Sequence, residues 1–183
     1  MLERIRRLLS RWPVGAVREP PLQELPSVTL RPIGVVRNGV RDTAQRDWRE
    51  VTSRIVVRPE LADALLGLDS YSHVFVLFWP HRVPESVRGA KHRLHPLDDP
   101  QYPLQGVLAT RSQIRFNPVL VTAVPLLGVK GNVLRVRGLD AIDGTPVLDI
   151  KPYIPYYDSL PEAKVPPWVI ERAAQARRAG HKS

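Results

Sequence analysis

The sequence contains no cysteine, so disulfides, thiolate nucleophiles and cysteine-based zinc sites are excluded, and only His, Asp and Glu remain as metal ligands. That lack suits a reducing cytoplasm. No GxGxxG and no GxxxxGK[ST] occurs, so neither a Rossmann dinucleotide site nor a P-loop is supported. Ser112 stands outside any GxSxG elbow, which leaves serine hydrolase chemistry without its usual turn. His92 and His95 form HxxH with no acidic third ligand on a recognisable helix, and they read as loop histidines. No apolar run is long enough to span a membrane.

What is present is an ordinary core and an excess of positive charge. With 183 residues, 43% of them hydrophobic, the chain builds one main domain with terminal extensions rather than two generous ones. A formal charge of +9 favours an anionic partner, with nucleic acid ahead of a membrane surface. The first twelve residues, MLERIRRLLSRW, place Leu2, Ile5, Leu8, Leu9 and Trp12 at roughly helical spacing between arginines. This basic amphipathic helix has three open roles: docking onto the domain, contact with RNA or a membrane surface, and targeting. PVGAVREPPLQELP follows as a proline-rich linker, so the extension occupies residues 1–27.

From residue 28 the pattern is mainly β. TLRPIGVVRN and VTSRIVVRP are rich in β-branched residues, SHVFVLFW reads as a central strand, and PELADALLGLDS reads as a short helix from proline to glycine. Residues 80–105 lack periodicity and form a long loop. GVLAT, VLVTAVPLLGV and NVLRVRGL read as further strands, the last two joined as a hairpin through Lys130-Gly131, and PVLDIKPY closes the set. Several short strands with turn signals favour a small closed β-barrel over a doubly wound sheet. PPWVIERAAQARRAG is a C-terminal basic helix within an extension at 161–183.

Two polar segments interrupt this pattern. GVLATRSQIRFNPVLVTAV carries Arg111, Ser112, Arg115 and Asn117 between apolar ends, which suits either a self-bonded polar loop or a ligand site on a rigid barrel. LDAIDGTPVLDIKPY gathers Asp140, Asp143, Asp149 and Lys151. One reading is a hairpin in which Asp143 binds turn amides and Asp149 pairs with Lys151 or an arginine; the other is a polar rim beside the arginine loop.

PIGVVRN, LDSYSHVFVLFWPHR, GVLATRSQIRFNP and GLDAIDGTPVLDIKPYIPYYDS resemble, in order and spacing, the successive motifs of the TsaA-like (TrmO) family of S-adenosylmethionine-dependent tRNA methyltransferases. The resemblance covers residues 29–160 and marks 28–160 as a TsaA-like barrel. It implies a small all-β barrel, a homodimer, S-adenosylmethionine as cofactor, and methyl transfer to N6 of threonylcarbamoyladenosine beside the tRNA anticodon. It also implies cofactor-contacting positions at His81, Arg82, Arg111, Val121, Leu139 and Asp140, with Gln45 and Arg46 matching an early element. Arg115, Lys151 and Tyr153 fall where the acceptor base or phosphates would be held. Asn117 and Asp143 are the catalytic candidates, Asp143 as an acceptor of the N6 proton. Lys91, Arg93, Arg177 and Arg178 are expected to contact phosphate.

The sequence departs from the family pattern in one run: the usual RPNPIG is RFNPVL here, with Phe116 in place of proline and Leu120 in place of glycine. The first change loosens the backbone, and the second adds a side chain where a ligand would approach. Two other function classes stay open beside the methyltransferase. A non-catalytic RNA-binding barrel would need no cofactor pocket, and a small-molecule methyltransferase would ignore tRNA.

Overall fold

The structure is a computed structural model that describes residues 26–42 and 47–179. The basic segment and linker through residue 25, together with Gln45 and Arg46, lie outside the described residues. The chain divides into a unit at Met1–Leu30 and a unit at Arg31–Ser183. In the first, the described residues 26–30 carry no helix or strand.

In the second unit, alternation decides the strands. β2 (Thr52–Val57) buries Ser53, Ile55 and Val57 and turns Thr52 and Arg54 outward; β3 (His73–Phe78) buries Val74, Val76 and Phe78. This period of two is what a sheet with one face in the core and one in water requires. β1 (Gly34–Arg37), β6 (Leu120–Lys130), β7 (Val133–Arg137) and β8 (Pro146–Pro152) complete a closed six-stranded barrel of order β1-β2-β7-β6-β3-β8. The pairing of Gly34 with Val147 closes the ring. Closure leaves no free edge to pair with another chain. The core fills from every wall: Val36, Ile55, Val76, Val124, Leu134 and Val147 are all at or near zero exposure.

The β6–β7 hairpin forms as expected, with Lys130 opposite Val133 and Gly131 at φ +57° in the two-residue turn. Other details differ from the sequence reading. PELADALLGLDS is not one helix but two 3-10 segments, Pro59–Leu65 and Leu68–Ser70, because Leu66 turns extended (ψ 127°) and Gly67 is left-handed (φ +79°). GVLAT contributes only Gly106 to a two-residue strand and then a 3-10 turn, Val107–Ala109. The segment around Asp143-Gly144 is not a hairpin: β7 lies between β2 and β6, β8 lies between β1 and β3, and the loop carries the chain across the barrel end. The long loop at 80–105 holds only a small ladder, β4 (Arg93–Leu94) against β5 (Gln105–Gly106). After β8 come a single helical turn, α1 (Pro155–Asp158), and the basic helix α2 (Pro167–Ala179), which starts on proline as the sequence predicts.

Candidate functional site

The loop that carries Arg111 follows the 3-10 turn Val107–Ala109, in which Val107 is buried and its amide donates to His92 O at 2.9 Å. Thr110 Oγ1 donates back to Val107 O (2.9 Å) and accepts from the Ser112 amide (3.2 Å), while Ser112 Oγ accepts from the Ile114 amide (3.3 Å). The loop is therefore stitched by its own side chains, yet Arg111 is exposed and makes no ion pair with any described residue. The structure shows the self-bonded loop, and its hydrogen bonds do not use the Arg111 guanidinium.

Arg111 lines a cavity of about 1000 Å³. Its walls come from the Arg111 loop, the loop at Leu94–Asp98, Trp48, Leu120, Asp140 and the start of α2. Asp140 Oδ1 accepts from Thr122 Oγ1 at 2.5 Å, which fixes the carboxylate on the barrel rim. Leu97 and Asp98 hold left-handed backbone, φ +61° and +55°; such strain in non-glycine residues persists only where the surroundings enforce it, and it clusters at ligand sites. His95 Nδ1 donates to Tyr102 O at 2.7 Å and anchors this loop. From α2, Trp168 packs its ring 6.0 Å from that of Tyr102, and its indole Nε1 is buried without an acceptor. Tyr102 Oη donates to Gln175 Oε1 (3.1 Å), so the helix is held by a second contact.

Of the cofactor-contacting positions implied by the resemblance, the cavity brings together Arg111 and Asp140; Ser112, His95 and Leu120, singled out on other grounds, line it as well. Leu139 is fully buried in the core, one residue away. Val121 lies exposed on β6 opposite Leu77. Arg82 Nη1 donates to Arg41 O at 2.7 Å. His81 lies beside Gly144, where an added Cβ would stand 3.8 Å from Nε2; its Nδ1 is buried without a partner. Burial, then the charge of Arg82, pushes its pKa below the usual imidazole range.

The remaining sequence-derived residues sit elsewhere. Asp143 Oδ1 accepts from the amides of Asn38 (2.8 Å) and Gly39 (3.1 Å), and Oδ2 accepts from Arg37 (3.4 Å). The Gly39 and Asn38 amides, with Arg37 behind them, hold its pKa below the ordinary carboxylate range. The amides that Asp143 binds are those of the β1 exit, about a hundred residues away, rather than its own turn. Lys151 pairs with Asp149 at 2.7 Å along β8. Tyr153 packs its ring 5.3 Å from Phe75. Arg115 is half-buried and Asn117 is exposed, its carbonyl accepting from the Val119 amide at 2.7 Å. Phe116, 48% exposed, lies against Gly89 and edge-on to His92 at 5.3 Å. Of the two departures from the family pattern, only Leu120 reaches the cavity.

Three contributors were missed by sequence reasoning: Trp48, Trp168 and the Leu94–Asp98 loop. A tryptophan early in an otherwise polar, basic helix was the available signal for Trp168, since so large a ring rarely stays in water.

Residues 42–159 match the family model described as the tRNA-methyltransferase O N-terminal domain. The chain belongs to that family. A probable S-adenosyl-L-methionine-binding protein of Methanothermobacter thermautotrophicus is 42% identical over 142 residues, 73% of this chain and 95% of the relative. The tRNA (adenine(37)-N6)-methyltransferase of Escherichia coli is 41% identical over 106 residues, 56% of this chain and 44% of that enzyme. The crystal structure of TrmO from Pseudomonas aeruginosa superposes with a TM-score of 0.60 at 30% identity, covering 75% of this chain and 61% of that one. The chain thus spans less than two thirds of these last two proteins. The family's barrel is the one observed here; α2, with Trp168, lies beyond the matched residues.

Proposed function

We propose that this chain is an S-adenosylmethionine-dependent methyltransferase acting on N6 of threonylcarbamoyladenosine next to the tRNA anticodon. The observation that carries the reading is the cavity of about 1000 Å³ lined by both Arg111 and Asp140 on a barrel of this family. Relatives named for S-adenosylmethionine binding and for N6 methylation of adenine 37 support cofactor and reaction alike.

The cavity's chemistry fits the cofactor. Leu94, Leu108, Ile114 and Leu120 give a mostly apolar lining with a few polar groups, the composition that binds a nucleoside-sized molecule. Arg111 is the cation for a carboxylate, and its fork suits two-point contact. Asp140 is the anion for an ammonium, with Oδ1 already steadied by Thr122. Trp168 supplies a buried N–H that lacks an acceptor. Bound there, S-adenosylmethionine supplies an electrophilic methyl group on a sulfonium. The chain's own part is orientation: rigid strands position Asp140, a self-bonded loop positions the Arg111 backbone, and the leucines with Trp48 and Trp168 offer apolar surface for the cofactor to pack on. Asp98, the second carboxylate in the cavity lining, is the group left to take up the N6 proton when Asp140 holds the ammonium. Asp143, already bonded to two amides, serves the fold.

The reading includes a homodimer in the cytoplasm. Tyr156 and Tyr157, 88% and 71% exposed beside the exposed Leu160, support a protein partner for this face; sedimentation velocity tests it. The function is tested by mass spectrometry of tRNA nucleosides after incubation with S-adenosylmethionine. One added methyl on threonylcarbamoyladenosine, and none on unmodified tRNA, is the expected result. Cofactor binding with no tRNA-borne methyl would assign a small-molecule acceptor. No cofactor binding would leave an RNA-binding barrel.

A further inference from the structure

On the outer face of the barrel, arginines stand in register. Arg37 of β1 is directly opposite Arg54 of β2, and Arg54 is directly opposite Arg135 of β7. Arg137 follows two residues on, opposite Thr52. Their neighbours Val36, Ser53, Ile55, Leu134 and Val136 are buried, so alternation turns every one of these arginines to solvent. Residues opposite each other across a ladder have Cβ atoms about 4.5–5.5 Å apart, and like charges there destabilise the sheet. Among the described residues one carboxylate answers the row: Asp143 touches Arg37 at 3.4 Å, with its other oxygen given to two amides. Among the described residues, Arg54, Arg135 and Arg137 make no ion pair. Arg37, Arg54 and Arg135 line a second cavity, of about 450 Å³.

From this geometry we infer that the β1–β2–β7 face is a binding track for the phosphodiester backbone of RNA. A row of guanidiniums in which Arg37 alone has a carboxylate partner among the described residues is satisfied by a ligand with repeated negative charge, and the arginine fork binds phosphate at two points. The row contains no aromatic anchor of the kind that dominates protein interfaces. It also leads to the first cavity. Arg135 is five residues from Asp140, and Thr52 is four from Trp48; at no more than about 3.6 Å per residue, the two sites lie within about 18 Å along the chain. A strand held on the arginines is therefore close enough to deliver a nucleotide to the Arg111 cavity. The identity of the RNA as tRNA rests on the function proposed above; the track itself rests on register and charge.

The test uses the full chain and a fluorescent tRNA transcript, with anisotropy read over a KCl series. Arg54→Gln with Arg135→Gln should weaken binding and reduce the log–log salt slope by about 1.4–1.8, the loss of two phosphate contacts, whereas Arg54→Lys with Arg135→Lys should keep the slope. S-adenosylmethionine affinity by calorimetry should be unchanged in both, and the melting temperature of the glutamine pair should not fall, because repulsion has been removed. An unchanged slope overturns the inference. So does a glutamine pair that loses its fold, or polyglutamate competing as well as RNA at equal charge. If the slope falls but the wild-type chain methylates no tRNA, the track stands and the methyltransferase reading fails; if methylation proceeds and the slope does not change, the reverse holds.

Discussion

Asp143 shows at the scale of one residue why chemistry cannot be assigned from residue type alone. The sequence offered it as a turn residue or as a base, and both readings placed its partners nearby. Its partners are instead the Asn38 and Gly39 amides on β1, contacts that no local pattern reveals because they depend on how the barrel closes. Asn38 makes this junction firmer: its Nδ2 donates to buried Ser53 Oγ (3.0 Å) and to Ala141 O (2.8 Å). Removing the carboxylate leaves the part-buried Asn38 amide without its partner and gives the exposed Gly39 amide to water, so Asp143→Ala should cost about 0.5–1.5 kcal/mol, the net scale of an ordinary hydrogen bond. Because folding lowers the Asp143 pKa, its contribution is present above the unfolded value, near pH 4, and is lost as pH falls through the folded value. Asp143→Asn should therefore flatten the acid end of a urea-midpoint profile below about pH 4. His81 acts in another window: its folded pKa is lowered, so the unfolded chain takes up a proton first and stability declines as pH drops below about 6.5. A profile in which Asp143→Asn changes nothing below pH 4 would refute the assigned contacts.

Elements were legible in proportion to how local their causes are. β2, β3 and β7 are rich in β-branched and other apolar residues and were readable, although in β3 the alternation lies in burial and not in residue type; α2 was readable from its opening prolines and its basic face. What the sequence could not supply was pairing order, so β7 and β8 looked like a hairpin although the barrel separates them. The two 3-10 segments near Pro59 were misread as one helix because proline and glycine mark a helix's ends without measuring its interior. The family resemblance recovered the barrel; it said nothing of α2, whose Trp168 completes a cavity wall. Gly34 tests the ring as an element. It pairs with Val57 on one side and Val147 on the other, and a Cβ there would meet Val56 O at 2.6 Å and Val57 Cα at 3.0 Å. Backbone atoms cannot turn aside as a side chain can, so Gly34→Ala must spread β1 from β2 and should cost about 1–3 kcal/mol. Chemical denaturation measures this; a variant as stable as the wild type would mean that the seam is looser than described.

For the molecule as a whole, the cavity joins parts that sequence separates: the Trp48 turn, the Arg111 loop, the β7 exit and α2. A ligand that bridges them stabilises the folded chain against unfolding by mass action, by about 2.7 kcal/mol when its concentration is a hundred times its dissociation constant. In a protein of 150–250 residues each kcal/mol moves the melting temperature by about 2–4 °C, so saturating S-adenosylmethionine should raise it by about 5–11 °C. Arg111→Ala removes one of the cavity's two guanidiniums that are unpaired among the described residues, the other being Arg172, without touching the hydrogen bonds that stitch its loop, which run through Thr110 and Ser112. The apo melting temperature should therefore stay close to that of the wild type. Affinity should fall by about 1.5–3 kcal/mol, the scale for a hydrogen bond to a charged group, so the shift at the same cofactor concentration should drop to about half or less. Differential scanning fluorimetry with and without cofactor reads both quantities in one experiment. A variant that melts early without cofactor would make Arg111 a structural residue, and a variant whose cofactor-induced shift equals that of the wild type would place the cofactor outside this cavity.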